Sequence, residues 1–154
     1  MPDRHTSPPD GIRIENAVRA DVKAIHEIEE ASFPAPWRRE FFVGELMSDG
    51  RFNIVARRQG AVVAYLFAMW VFDEMHVNKI AVTERERRQG IADALMDACF
   101  TFAREHAVQT ITLEVRKSNR GAQDFYRHLD FQAVHLRPRY YPDGEAAVVM
   151  MRKL

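Results

Sequence analysis

Lys79-Ile80-Ala81-Val82-Thr83-Glu84-Arg85-Glu86-Arg87-Arg88-Gln89-Gly90-Ile91-Ala92 is the stretch on which the reading of this chain turns. Ile80, Ala81 and Val82 have the character of the end of a buried strand. A charged turn follows. Ile91, Leu95, Ala98 and Phe102 then recur along one stripe of an amphipathic helix starting at Gln89 or Gly90. A helix that begins at such a turn points free backbone N–H groups, and the positive end of its dipole, into the turn's mouth. That environment binds an anion, typically a phosphate. Gly90 lets the phosphate reach the main chain, the small Ala92 does the same beyond Ile91, and Arg87 and Arg88 put charge on the rim. An ordinary charged turn capping a core helix could share these residues; the buried strand before them favours a diphosphate cradle. The form Arg-x-x-Gly-x-Ala differs from the nucleoside triphosphate loop, and no Gly-x-Gly-x-x-Gly is present.

Working outward, the 154 residues make one domain, read as residues 12–154. Residues 1–11, with Pro2, Pro8, Pro9 and Gly11, read as a disordered leader. Lys plus Arg and Asp plus Glu each number 22, so no global field draws the chain to nucleic acid or membrane. The apolar run from Ala61 to Phe72 is too short to cross a bilayer as a helix. The single cysteine, Cys99, falls near the buried stripe and reads as a small hydrophobe; with no disulfide possible, a reducing, cytoplasmic setting fits. The six histidines show no metal-ligand spacing, and no metal is expected.

In chain order, Ile12 and Ile14 alternate with polar residues as a short strand, and Val22, Ile25 and Ile28 recur at helical spacing after Asp21. Ser32-Phe33-Pro34-Ala35-Pro36-Trp37 is a stiff aromatic connection, either a core plug or the wall of a groove, and a second helix carries Phe41, Phe42 and Leu46. Strands follow at 52–57 and 61–72, joined by the hairpin turn Gln59-Gly60, and at 75–82, with a bulge or solvated start in its first residues. After the cradle helix, Thr110 to Val115 alternates strictly, a helix starts near Asn119, and strands at 131–135 and 146–151 close the chain. Strands alternating with helices in the middle and hairpins outside predict an α/β fold: a central mixed sheet with helices on both faces.

Two side chains beyond the cradle stand out. Glu114 is the only acidic residue on the polar face of its strand, and Tyr126 lies twelve residues later on the next helix, facing the sheet. A carboxylate can take a proton and a phenol can give one. Each alone has a bland alternative, a surface pair for Glu114 and a core contact for Tyr126; together, at this spacing, they favour chemistry.

Arg87-x-x-Gly90-x-Ala92 resembles the acyl-coenzyme A signature of the GNAT acetyltransferase superfamily. Leu113-Glu114-Val115-Arg116, Ser118-Asn119, Tyr126 and Arg139-Tyr140-Tyr141-Pro142, with Phe33-Pro34 and Trp37, are similar to its RimI branch, the ribosomal-protein alanine N-acetyltransferases. The likeness runs over most of residues 12 to 152. It implies that Glu114 is the general base and Tyr126 the general acid. It implies that Ile80, Ala81, Val82, Arg87, Arg88, Gln89, Gly90, Ile91, Ala92 and Asn119 bind acetyl-CoA, and that Phe33, Trp37, Tyr140 and Tyr141 line the groove for an acceptor peptide, a ribosomal-protein N-terminus. Three positions depart from the pattern: Ala92 and Asp130 stand where glycine is usual, and Ala146 where an acid is frequent. Acid–base arithmetic also points to an α-amine, neutral in about a seventh of molecules at pH 7 against about one in 2,500 for a lysine. Acetylation of a lysine or of a free small amine is the competing activity, and a non-catalytic acyl-CoA-binding regulator the competing class.

Overall fold

The computed structural model describes residues 7–154, so positions 1–6 of the expected leader lie outside the described residues. Pro8 to Gly11 lead into the first strand through a turn in which Ile12 N–H donates to Pro9 O at 3.0 Å.

Seven strands form one mixed sheet: β1 (Ile12–Asn16), β2 (Arg51–Arg58), β3 (Ala61–Val71), β4 (Glu74–Val82), β5 (Thr110–Arg116), β6 (Gln132–Arg137) and β7 (Ala147–Lys153), in the order β1-β2-β3-β4-β5-β7-β6. The helices are α1 (Val22–Ser32), α2 (Arg39–Leu46), α3 (Ile91–Glu105) and α4 (Arg120–His128). All neighbours pair antiparallel except β4 and β5, which the α3 crossover forces to run parallel.

The sheet carries a core on each face. On one, Leu95, Cys99 and Ala103 of α3 pack with Tyr126 of α4 on Leu66, Val77, Ile111 and Leu113. On the other, Ile25 and Ile28 of α1 and Phe42 of α2 pack on Tyr65, Phe67 and Ala81. The run from Val63 to Ala68 is buried throughout because both its faces are covered, as its apolar character predicts. The α3 stripe is rotated from the expected one: Ala98 and Phe102 sit at the margin, where Phe102 stacks on Phe52 at 4.3 Å between ring centroids. Asp21 precedes α1 but does not cap it; its carboxylate takes two 2.8 Å hydrogen bonds from Arg57, which hold it below the usual carboxylate range against the opposing effect of burial. Asp130 adopts the left-handed φ of 66° that its place in the glycine pattern implied.

Two irregularities position the site. Phe67 pairs with Lys79 and Ala68 with Val77, so Asn78 is an extra residue, a bulge in β4. Pairing of β4 with β5 covers only Glu74–Thr110, Met75–Ile111 and His76–Thr112. Beyond His76 the two strands part.

The aromatic cluster under α2 gives a stability test. Phe42 is fully buried, edge-on to Tyr65 and Phe67, so Phe42→Ala should cost about 3–5 kcal/mol in urea unfolding. Phe41, 60% exposed one position earlier, should cost below about 1 kcal/mol when changed to Ala.

Candidate active site

Beyond the end of β4 the chain makes the turn expected of an anion cradle. Arg88 and Gly90 both take left-handed φ values, 63° and 86°, and Gly90 is the N-cap of α3. The Ala94 N–H donates to Gly90 O at 3.1 Å as the first bond of the helix, so the amides before it are free to face a ligand. A Cβ at Gly90 would meet nothing nearer than Pro9 Cγ at 3.9 Å, so the glycine serves conformation and access rather than internal packing. Arg87 folds back, its Nε donating to Val82 O at 2.9 Å, and braces the turn against the strand.

A cavity of about 330 Å³ opens beside this turn, walled by Ile80 to Val82, by Arg87, Arg88 and Gly90 to Ala92, and by Ala122, Phe125 and Tyr126. A second, of about 710 Å³, lies across the parted strands and takes in Phe33, Trp37, His76, Lys79, Glu114, Tyr140 and Tyr141. Ile80, Ala122 and Tyr126 line both. The two cavities therefore meet at the Tyr126 side chain, where a group held in one can react with a group held in the other.

Glu114 is not a solvated strand carboxylate. His76 Nε2 lies 2.7 Å from Glu114 Oε2, and His76 Nδ1 lies 2.8 Å from Thr112 Oγ1. Thr112 is on the same face of β5 as Glu114 and opposite His76 in the register, so the last paired position of β4 and β5 orients the acid. Tyr126 is buried, and burial first, then Cys99 and Tyr141, push its phenol above the ordinary value of 10.0. It is a standing proton donor.

The aromatic walls are fixed by charge. On the far side, Arg116 Nη1 reaches Asp143 at 2.8 Å and Glu145 at 2.9 Å while its guanidinium covers the Tyr141 ring at 4.1 Å. Glu145 also accepts from the Ser118 N–H at 2.9 Å, which ties the 139–145 loop to the end of β5. The Tyr141 phenol is pushed up to about 12, by burial and by Tyr140. On the near side, Glu29 is fully buried and accepts from the Tyr65 hydroxyl, from Trp37 N–H at 2.9 Å and from Lys79 Nζ at 3.0 Å.

Most residues singled out in the sequence converge here. Phe33, Trp37, Tyr140, Tyr141 and Glu114 share the larger cavity, and Tyr126 joins it to the smaller. Gln89 does not line the smaller cavity; its Oε1 accepts from Arg58 Nη2 at 3.2 Å. Asn119 borders the larger cavity, and its side chain caps α4 by accepting from Ala122 N–H at 3.1 Å. Cys99 is sealed in the core, its thiol pushed up to about 12 by burial. His76, Glu29 and Lys79 belong to the site without any motif or periodicity that marks them. A polar residue on each of two strands to be paired was the available signal for His76, but it needs the register.

The match to known proteins agrees with this geometry. Residues 22–131, well over half of the chain, match the acetyltransferase (GNAT) family. The chain belongs to that family. This GNAT domain is 35% identical to an N-alpha-acetyltransferase of Sulfurisphaera tokodaii, over 92% of its length and 93% of the relative's. It superposes on the crystal structure of the ribosomal-protein-S18-alanine N-acetyltransferase from Escherichia coli with a TM-score of 0.86 at 30% identity, covering 92% of this chain and 93% of that one. The Ard1 structure from Thermoplasma volcanium gives 0.90 at 27%, covering 94% and 98%. As a GNAT N-acetyltransferase the enzyme uses acetyl-CoA. The cradle fits that carrier: a left-handed pair of residues, an open glycine and a helix N-terminus suit a diphosphate, and an apolar cavity leads from there to Tyr126.

Replacing Gly90 forces a side chain into a φ of 86° and into the path of the ligand. Gly90→Val should weaken acetyl-CoA binding by about tenfold or more in calorimetry, while the thermal midpoint shifts by only a few degrees.

Proposed function

We propose that this acetyltransferase modifies the α-amine of a protein N-terminus, with Glu114 as general base and Tyr126 as general acid. The observation that carries the reading is the meeting of the two cavities at Tyr126, with the Glu114–His76 pair in the wider one. The cavity holding Glu114 is the larger of the two and aromatic-walled, which suits a peptide better than a small polar amine.

Glu114, held by His76, takes a proton from the acceptor ammonium directly or through one water. The freed nitrogen attacks the thioester carbonyl, a new C–N bond forms as the C–S bond breaks, the nitrogen gives up its second proton to water, and Tyr126 supplies its own proton to the departing sulfur. The phenol is later reprotonated from solvent. Main-chain N–H groups at the unpaired edge of β4 near Val82 stand where a developing oxyanion needs donors. No covalent bond to the protein is needed, and Cys99 is too deeply buried to form one.

For the acceptor, the N-terminal alanine of a ribosomal protein is the finer assignment. It is supported by the similarity to the bacterial alanine N-acetyltransferase, and by the α-amine being the easier nitrogen for one carboxylate to deprotonate. The test is acetyl transfer from acetyl-CoA to synthetic peptides that begin with alanine and carry a free or a blocked N-terminus. Transfer to the free form alone is expected; equal transfer to a peptide whose only amine is lysine would overturn the reading.

Two further outcomes follow from the roles. Glu114→Gln should lower kcat by about 10²–10⁴-fold and leave the acetyl-CoA Kd nearly unchanged in calorimetry. Because the fold raises the Tyr126 pKa, its donor form persists to higher pH than a free phenol's. The wild-type kcat profile should therefore show no fall from this group below about pH 10, while kcat/KM climbs through about pH 7.8 as the α-amine loses its proton. Tyr126→Phe should slow turnover across that whole range.

A further inference from the structure

In a regular strand His76 and Lys79, three residues apart, would point to opposite faces. The bulge at Asn78 shifts the phase by one, so both line the acceptor cavity. Lys79 lines the same cavity as Glu114 and precedes Ile80, one of the three residues shared by the two cavities.

The surroundings hold this lysine in place. Its Nζ is 3.0 Å from Glu29 Oε2 and 3.8 Å from the centroid of the Phe33 ring, with Trp37 at 5.4 Å. The pair is lopsided. The Glu29 side chain is fully buried and spends its oxygens on Lys79, Tyr65 and the Trp37 amide, whereas the Lys79 side chain keeps 15% of its surface open. The positive end of the pair therefore faces the groove. An anion touching the ammonium would lie about twice as far from the Glu29 oxygens, so attraction exceeds repulsion roughly twofold. Of the three N–H donors on the ammonium, Glu29 uses one. Ser32 Oγ, on a residue of the same wall, is buried and has no hydrogen-bond partner among the described residues. Of the other charged side chains of the cavity, Glu114 faces His76, and Arg116 is paired with Asp143 and Glu145 of the adjoining loop.

We infer that Lys79 is a specificity-determining residue, which favours acceptors with an acidic side chain among their first two residues and disfavours basic ones. The inference rests on the peptide-acceptor reading given above. The aromatic rings set the width of the groove; Lys79 sets the charge it accepts.

The experiment compares kcat/KM for peptides identical except for Glu, Ala or Lys at the first or second position, with acetyl-CoA saturating. Wild type should prefer the best Glu peptide to its Lys counterpart by about tenfold or more. Lys79→Met alone would strand the buried Glu29 charge, so the decisive variant is the double change Lys79→Met with Glu29→Gln, which removes both charges and keeps much of the packing. In it the Glu-to-Lys ratio should fall to within about threefold of unity, with the Kd for acetyl-CoA largely retained. Lys79→Arg, which keeps the cation, should keep the ratio. A ratio unchanged in the double variant, or near unity in wild type, overturns the inference and leaves the peptide reading intact. Failure of the wild type to acetylate any of the peptides, with acetyl-CoA still bound, overturns both.

Discussion

The parting of β4 from β5 is the constraint on which the rest of this molecule depends. Up to His76 and Thr112 the two strands are ordinary parallel neighbours, and past that pair their facing backbone groups have lost one another. Buried peptide groups without partners are costly, so the wedge persists only because it is open to solvent and to ligands that supply the missing bonds. It divides the sheet without dividing the fold, since β4 stays paired with β3 as far as Val82 and β5 with β7 as far as Arg116. In the proposed function one mouth of the wedge would receive the acyl carrier and the other the acceptor, with Tyr126 from α4 lining both.

Much of this architecture was legible in the residues, for identifiable reasons. The run from Val63 to Ala68 is apolar on both faces because both are covered, and strict alternation in Thr110 to Val115 reports a strand with one face in the core. Gly90 and the arginines before it marked the cradle because a phosphate site needs main-chain access and surrounding charge. What periodicity could not supply was rotation and register. The α3 stripe was displaced because Phe102 joins Phe52 and Trp70 in an aromatic patch at the margin of the main core.

The same limit governs the site. Glu114, Tyr126 and the four aromatic residues came together because each sits on a segment whose direction the fold class already sets. His76 was hidden because its meaning lies in a residue 38 positions away on a strand reached by a crossover. Lys79 was hidden because the irregular start of β4 suggested a bulge without fixing it at Asn78, and Glu29 because a carboxylate on an amphipathic helix ordinarily faces water. Asn119 combines two readings: its side-chain oxygen caps α4, and the residue borders the larger cavity.

The seclusion of Cys99 has a practical side. It is the only sulfhydryl in the chain, and it lies beneath α3 against Met75, where thiol reagents cannot reach it in the folded state. Two cysteines placed at exposed positions, one on each bank of the wedge, would then be the only targets for maleimide dyes or spin labels. Distances between the two banks of the wedge could be followed in solution with no need to strip the native background first.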